Sequence, residues 1–341
     1  MKTIYVVDDS DTNLTMVENV LEKYYNVLTI PSAEKMFEMT NKVKPDLILL
    51  DIEMPGMNGF EALERLKSTS ELAVTPVIFL TGRNDANTEA RGFELGAVDF
   101  ITKPFSIPVL LNRIKMHLDI DQLIRNRTIQ LQRLQNGIVS VLADMVENRD
   151  KSTGGHIIRT TAYIKILMNA MMEHGVYAEE MNSWNLETAV SSARLHDIGK
   201  IVISDMILNK PSRLTESEYR TMKSHAAEGE RIIDQIIGQT GEGEFLLNAK
   251  MFAGYHHERW DGAGYPHELC ETQIPLQGRI MSVVDVYDAL VSRRPYKGAF
   301  TDDEAVEIIM ANTKKQYDPK ITAIFFQVRN MFKEVTTCLR H

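Results

Sequence analysis

The sequence is poor in cysteine, has no excess of positive charge and lacks long apolar runs. Its only cysteines, Cys270 and Cys338, have no pair spacing, so no disulfide framework is implied. The formal net charge is -9, whereas a nucleic-acid-binding output domain normally carries a basic face, so we expect no DNA binding. The first residues are too acidic for a signal peptide, and no apolar run has the length of a membrane-spanning helix. We therefore expect a soluble cytoplasmic protein without membrane insertion.

The length and composition predict a globular protein with two domains. A chain of 341 residues is too long for one ordinary domain. Hydrophobic residues make up 44% and charged residues 25%, which are the proportions of soluble globular proteins. We predict a first domain over residues 1–120, a connector helix over 121–140 and a second domain over 141–341.

Short apolar runs alternate with amphipathic stretches through the first predicted domain. This alternation is typical of βα units that build a parallel sheet covered by helices on both faces. The predicted fold is therefore a doubly wound α/β domain. Its five apolar runs are residues 4–7, 27–30, 47–50, 77–80 and 98–101.

Polar residues follow four of these five runs. In open parallel sheets the functional site gathers at the carboxyl ends of the strands, so Asp8, Asp9 and Asp51 should meet there. Three carboxylates repel one another unless a cation lies among them, and oxygen ligands suit Mg²⁺. One carboxylate could then attack a phosphoryl group, with Thr81 and Lys103 placed to bind its oxygens. Any one aspartate alone would be read as a helix cap, but the ordered set favours a site.

The motifs DD, LLDIEMPGMNGFE, LTG and ITKPF resemble those of a response-regulator receiver domain across this whole domain. The resemblance implies that Asp51 is the phosphoacceptor and that a sensor histidine kinase is the phosphodonor. It assigns Mg²⁺ to Asp8, Asp9, Asp51 and the Glu53 carbonyl, and the phosphorylation-dependent switch to Thr81, Phe100 and Lys103.

The predicted connector carries an apolar residue at every seventh position. Ile124, Leu131, Ile138 and Met145 form one stripe, and the neighbouring seam is mostly polar. Such a stripe favours a continuous helix that pairs weakly with a second copy, so we expect a homodimer. A helix packed on its own chain explains the pattern equally well.

The second predicted domain reads as all helical, and five of the chain's nine histidines form a candidate cluster in it. Histidine is the commonest transition-metal ligand, and the His–Asp and His–His steps offer more ligands than one cation needs. This excess predicts a cluster of two or more metals bridged by carboxylate, an arrangement suited to phosphodiester hydrolysis. A lone histidine such as His225 is more often a core residue. The cluster histidines are His156, His196, His225, His256 and His257.

Two further features place charged groups beside these histidines. Lys200 follows His196 by four residues and Asp197 by three, which predicts one shared helical face. A lysine beside metal ligands is expected where a bound phosphate needs a positive partner. Asp285 and Asp288 lie one turn apart in an apolar helix that would otherwise exclude carboxylates.

The motifs HDIGK, HHERWDGAGYP and DVYDALVSRRPYK resemble the HD-GYP family of metal-dependent phosphohydrolases. The resemblance implies an all-α domain that hydrolyses cyclic di-GMP with two divalent metals, iron or manganese first, with nickel or zinc as alternatives. It assigns the metals to His156, His196, Asp197, His225, His256, His257 and Asp285. It assigns catalysis and substrate binding to Asp197, Lys200, Gly264, Tyr265, Pro266, Asp288, Arg294 and Lys297.

Ser152 departs from the family pattern, because some members have Glu at this position and use it to hold a third metal. A serine hydroxyl is a poor ligand for a hard divalent cation. We therefore predict two tightly held metals, with a third absent or weak. The family resemblance implies that such a site stops at the linear dinucleotide pGpG, with continuation to GMP as the alternative.

Two other functions remain open from the sequence. The same metal site would serve a hydrolase of another cyclic dinucleotide, such as 3′,3′-cyclic GMP-AMP. The helical domain could also be a phosphorylation-controlled scaffold or sensor that binds its ligand without turnover.

Overall fold

The structure, a computed structural model, has two compact units, Met1–Gln132 and Arg133–His341. Among the residues it describes, no helix is both long and apolar enough to cross a membrane. The described residues are 1–69, 71–82, 86–150, 155–292 and 298–339.

The first unit contains a five-stranded parallel sheet with the strand order β2-β1-β3-β4-β5. Parallel neighbours require crossover connections, and helices alternate with the strands along the chain. The predicted doubly wound α/β fold is confirmed. The strands are β1 Thr3–Val7, β2 Asn26–Ile30, β3 Leu47–Asp51, β4 Val77–Thr81 and β5 Asp99–Thr102.

The central strands are buried on both faces, which explains why they appear in the sequence as continuous apolar runs. Successive side chains of a strand point to opposite faces of the sheet. In β1, Tyr5 and Val7 pack in the core on one face, whereas Ile4 and Val6 pack in the core on the other. Only the strand ends therefore carry polar side chains toward a common edge.

Of the helices that cover this sheet, the first three begin at side-chain caps. The Ser10 and Ser32 hydroxyls accept hydrogen bonds from backbone N–H groups in the first turns of their helices. Asn58 and Glu61 form a reciprocal capping box at the start of the third helix. These helices are α1 Asp11–Leu21, α2 Ala33–Thr40, α3 Gly59–Ser68 and α4 Ala86–Glu94.

A single helix, α5, runs from Ile107 to Arg149 and contains the boundary between the two units. Its side chains at Ile124, Leu131, Ile138 and Met145 are 60%, 65%, 52% and 58% exposed, respectively. These four side chains are therefore not among the buried core residues of the two units.

The described part of the second unit is helical, as predicted. Three short 3-10 segments, Ala193–Leu195, Ile198–Val202 and Glu271–Gln273, connect its α-helices. The α-helices are α6 His156–Glu173, α7 Ala178–Met181, α8 Leu186–Ser192, α9 Asp205–Leu208, α10 Glu216–Thr240, α11 Glu244–Tyr255, α12 Leu276–Val291, α13 Asp302–Ala311 and α14 Pro319–Cys338.

Two apolar clusters hold this unit together. The larger one joins α6, α12 and α14 through aromatic rings, among which Tyr163 stacks on Phe332 with 4.6 Å between centroids. The smaller one packs Val146 of α5 with Leu195 and Ile198, which flank the His196-Asp197 step, and with Ile233 of α10. The smaller cluster thereby fixes the backbone that carries the predicted metal ligands.

Candidate functional site

The first candidate site lies at the carboxyl edge of the sheet. Carboxylate oxygens of Asp8, Asp9 and Asp51 lie within 4.8 Å of one another. Asp8 and Asp51 are buried, whereas Asp9 is exposed. The Lys103 ammonium lies 2.6 Å from an Asp8 oxygen and 2.9 Å from an Asp51 oxygen. Three carboxylates and one ammonium leave a net charge of two minus, which one divalent cation would neutralise.

Asp51 has an unusual electrostatic environment. Burial raises the pKa of its carboxyl, the Lys103 ammonium lowers it, and the nearby Asp8 carboxylate raises it again, with a net upward shift. A backbone N–H of Glu53 donates a hydrogen bond to the same carboxyl. The Asp51 carboxylate thus has both an ammonium and a second carboxylate beside it.

The predicted switch residues lie on the two neighbouring strands. Thr81 ends β4 and is buried, and it is in register with Thr102 of β5. The Phe100 ring is also buried, with centroids 5.3 Å from Phe79 and 5.0 Å from Phe93. Phe100 therefore has an inward position in this structure, packed against α4.

The second candidate site depends on a close backbone approach. The segment Ile198–Val202 is a 3-10 turn and not the α-helix that we predicted for HDIGK. A Cβ at Gly199 would overlap the carbonyl of His225, so only glycine allows this turn to touch α10. The contact brings Asp197 to His225, whose Nε2 lies 3.4 Å from Asp197 Oδ1.

The predicted metal ligands fall into two groups, and Asp197 lies between them. Asp197 Oδ2 lies 3.4 Å from His196 Nε2, whereas Oδ1 lies 3.4 Å from His225 Nε2 and 3.9 Å from His256 Nε2. Each oxygen of one carboxylate therefore faces a different set of imidazoles. One group is His156, His196 and Asp285, and the other is His225, His256 and His257.

Hydrogen bonds fix the orientation of four of the five imidazoles. His196, His225 and His256 direct Nδ1 at backbone carbonyl oxygens at 3.0, 2.7 and 3.0 Å, respectively. A carbonyl oxygen only accepts, so each of these Nδ1 atoms carries the proton and each Nε2 presents a lone pair. The fourth imidazole is that of His156, which directs Nδ1 at Asp288 Oδ2 at 2.8 Å.

The resulting geometry fits divalent cations. His225 and His256 bring two lone-pair nitrogens to 3.3 Å, an arrangement that is repulsive unless a cation lies between or beside them. Burial, followed by the neighbouring imidazoles, holds the pKa values of His256 and His257 well below the ordinary value. These imidazoles are therefore neutral, as metal coordination requires.

Asp288, for which we predicted a substrate contact, is 1% exposed, and its hydrogen-bond partners among the described residues are protein groups. Its oxygens accept hydrogen bonds from Arg159 at 2.6 and 2.9 Å and contact His156 Nδ1. Asp285 lies 3.5 Å from the other nitrogen of the same imidazole. The two carboxylates thus hold His156 from both ends, and Asp288 is a positioning residue. Sequence reasoning missed Arg159.

Lys200 occupies the position that the sequence indicated. Its ammonium lies 2.8 Å from Asp197 Oδ2 and 2.9 Å from Asp150 Oδ2. Burial lowers the pKa of the Lys200 ammonium, but the carboxylates of Asp197 and Asp150 raise it by more. The net shift is upward, so the ammonium stays charged. Glu147 accepts a hydrogen bond from the backbone N–H of His156 at 2.6 Å. Asp150 and Glu147 thereby support Lys200 and His156 from the end of α5.

The Gly264-Tyr265-Pro266 segment forms the wall of the second metal group. The Tyr265 ring stacks on His257 with 4.8 Å between centroids and 28° between planes. Glu258 is buried, and its carboxylate accepts hydrogen bonds from the backbone N–H groups of His267 and Leu269. These bonds connect the residues before and after the Gly264-Tyr265-Pro266 segment. Sequence reasoning missed Glu258, although an acidic residue inside an apolar fold signals such a role.

Three predicted residues, Ser152, Arg294 and Lys297, lie outside the described residues. Their assigned roles therefore stay predictions.

Two family matches cover most of the chain. Residues 4–115 match the response regulator receiver domain, and residues 140–321 match the HD domain.

Curated relatives with both regions span nearly the whole chain. A probable cyclic di-GMP phosphodiesterase of Vibrio cholerae is 37% identical over 98% of this chain and 79% of its own length. The cyclic di-GMP phosphodiesterase response regulator RpfG of Xanthomonas campestris is 31% identical over 97% and 89%. A 3′3′-cGAMP-specific phosphodiesterase 2 of Vibrio cholerae is 33% identical over 59% of this chain and 36% of its own length.

Proposed function

This chain belongs to the response regulators that join a receiver domain to an HD domain of the cyclic di-GMP phosphodiesterase family, and from that premise we propose its reaction. The protein hydrolyses cyclic di-GMP to pGpG under the control of Asp51 phosphorylation. The single observation that carries this proposal is the Asp197 carboxylate, which lies between two imidazole groups with the Lys200 ammonium beside it.

The metal-binding part of the proposal assigns one divalent transition metal to each group, iron or manganese first. His156, His196 and Asp285 would hold one metal, the three remaining histidines the other, and Asp197 both. When bound, the two metals would supply a water nucleophile near neutral pH and neutralise the phosphate oxygens. Two groups of ligands agree with the prediction of two metals made from Ser152.

The protein's own groups have separate roles. Backbone carbonyls hold the imidazoles of His196 and His225 in orientation, so their Nε2 atoms are in place before the substrate binds. Lys200 uses two of its three N–H donors on Asp197 and Asp150, and the third can donate to an oxygen of the scissile phosphate. We assign further contacts with the phosphate or guanine ends of the substrate to Arg294 and Lys297.

The receiver part of the proposal assigns phosphoryl transfer from a sensor histidine kinase to Asp51. Mg²⁺ would be held by Asp8, Asp9 and Asp51 with the Glu53 carbonyl. Lys103 and Thr81 would bind the new phosphoryl oxygens. The charge added at Asp51 would then alter the Lys103 contacts and the position of Phe100.

We also propose that two copies pair through α5. The exposed stripe at Ile124, Leu131, Ile138 and Met145 supports this contact, because apolar side chains at heptad spacing are stabilised by a facing helix. Leu131→Glu would turn the dimer into a monomer in light scattering of the full chain. A monomeric wild-type protein, with and without phosphorylation, would contradict the proposal.

The alternative substrate is 3′,3′-cyclic GMP-AMP. The likeness to a phosphodiesterase named for that dinucleotide favours it, although the match covers only 59% of this chain and 36% of that protein. Both substrates present the same phosphodiester to the metal centre, so turnover of the two has to be compared directly.

The test is an anaerobic chromatographic time course with cyclic di-GMP and Mn²⁺ or Fe²⁺, with 3′,3′-cyclic GMP-AMP in parallel. We expect pGpG from the wild type and no product from Asp197→Ala. GMP as the main product would keep the enzyme but contradict the argument from Ser152. Product from cyclic GMP-AMP alone would favour the alternative, and no product from either would favour a scaffold.

A further inference from the structure

Lys223 is a cation at the edge of the metal centre to which the proposed mechanism gives no role. It lies on α10, two residues before the ligand His225, and is half-buried. Its Nζ lies 4.9 Å from the centroid of the Tyr219 ring and 4.9 Å from that of Tyr265. Because the Tyr265 ring stacks on His257, Lys223 is two ring contacts away from a metal ligand.

Aromatic faces hold this ammonium. Among the described residues, no carboxylate lies within ion-pair distance of Lys223, unlike Lys200 and Lys210, which each contact acidic groups. A cation–π contact leaves the N–H donors of an ammonium able to bind an anion. Lys223 is therefore positioned without being neutralised.

The arrangement differs from an ordinary lysine–tyrosine pair on a helix surface. Tyr219 is one turn before Lys223 on the same helix and would by itself form such a pair. Tyr265, however, comes from the loop that walls the second metal group. Two separate parts of the unit thus direct one ammonium toward the rim of the site.

The chemistry of the substrate supplies an anion for this position. A cyclic dinucleotide has two phosphodiesters, each with one negative charge, and only one of them is cleaved at Asp197 and Lys200. We propose that Lys223 binds the second phosphodiester of the cyclic dinucleotide, with Tyr219 and Tyr265 as its positioning residues. This inference rests on the proposed function.

The kinetic consequence follows because the phosphodiester bound by Lys223 would not be the one that reacts. A contact with the phosphodiester that does not react is equally strong in the ground state and the transition state, so it lowers KM without changing kcat. Loss of one charge-assisted hydrogen bond corresponds to about tenfold in binding. Lys223→Met should therefore raise KM for cyclic di-GMP about tenfold and leave kcat within about twofold.

The experiment uses the full Mn²⁺-loaded chain and two substrates. Cyclic di-GMP has the second phosphodiester, whereas bis(p-nitrophenyl) phosphate has only the one that is cleaved. We expect Lys223→Met to impair the first substrate alone and Lys223→Arg, which keeps the charge, to recover most of the affinity. Lys165→Met is the matched control, because this lysine forms an exposed ion pair with Glu187.

The other outcomes separate the two proposals. An unchanged KM for cyclic di-GMP in Lys223→Met would overturn this inference, as would an equal loss on both substrates, which would indicate damage to the metal centre. Wild-type protein that cleaves bis(p-nitrophenyl) phosphate but not cyclic di-GMP would overturn the proposed function, and this inference with it.

Discussion

The acidic pocket of the receiver and the histidine centre of the HD domain both gather ionisable groups, but their side chains are held differently. In the receiver, Asp8 and Asp51 share one lysine ammonium. In the HD domain, backbone carbonyls orient three of the imidazoles, and a buried carboxylate orients His156. An ammonium can move when a phosphoryl group arrives, whereas a backbone carbonyl cannot. The first site is suited to a change of charge and the second to a constant geometry.

The largest expected effect separates the two sites by function. Asp197→Ala removes the carboxylate between the two imidazole groups and should lower cyclic di-GMP hydrolysis by at least about 10³-fold. Phosphorylation of the same variant by acetyl phosphate, followed by intact mass, should match the wild type. Hydrolysis within tenfold of the wild type would show that Asp197 is not shared by the metals.

The reciprocal variant tests the receiver. Asp51→Asn keeps the shape of the side chain but removes the nucleophilic carboxylate, so the mass increase on treatment with acetyl phosphate should disappear. Any response of the hydrolysis rate to acetyl phosphate should disappear with it. A phosphorylated Asp51→Asn protein would place the phosphoacceptor elsewhere in the acidic pocket.

A smaller effect is expected from the groups that orient the ligands. Asp288→Asn weakens the contact with His156 Nδ1 and should reduce the apparent affinity for Mn²⁺ by about 10- to 100-fold. The measurement is hydrolysis as a function of added Mn²⁺, with metal content by mass spectrometry. Asp303→Asn, at a carboxylate that is 84% exposed, is the matched control. If both variants showed the same dependence on Mn²⁺, the assignment of a positioning role to Asp288 would be wrong.

The smallest expected effects compare packing at two glycines. A Cβ at Gly92 would overlap the Phe100 ring, so Gly92→Ala should destabilise the receiver by about 1–3 kcal/mol. Nothing lies within 4 Å of a Cβ at Gly137, so Gly137→Ala should stabilise α5 by about 0.5–1 kcal/mol. Calorimetry of the full chain should show transitions shifted in opposite directions. A stabilising Gly92→Ala would mean that the Phe100 ring moves freely.

Much of the architecture could be predicted because it depends on local patterns. Apolar runs predicted the five strands, since strands buried on both faces need continuous hydrophobic sequence. The strand-end rule then predicted that Asp8, Asp9 and Asp51 meet, and the structure places them within 4.8 Å. The helical character of the second domain was predicted as well, and the described residues of that domain confirm it.

The predictions were less complete where a role depends on partners from distant segments. The spacing of Asp285 and Asp288 indicates one helix face, but it does not reveal that Arg159 lies behind Asp288. The α-helix expected at HDIGK is a 3-10 turn, because Gly199 has to approach the backbone of α10. Neither partner is adjacent in sequence, so no local pattern could have indicated it.

The sequence by itself determined which chemical groups this protein has and which elements carry them, because side-chain type and hydrophobic period are local properties. Only the tertiary structure decided how those groups are oriented. It oriented three imidazoles through carbonyls of the preceding turn, placed one oxygen of Asp197 toward each imidazole group and held Lys223 between two rings. Orientation depends on which buried groups find hydrogen-bond partners, and those partners come together only when the helices pack.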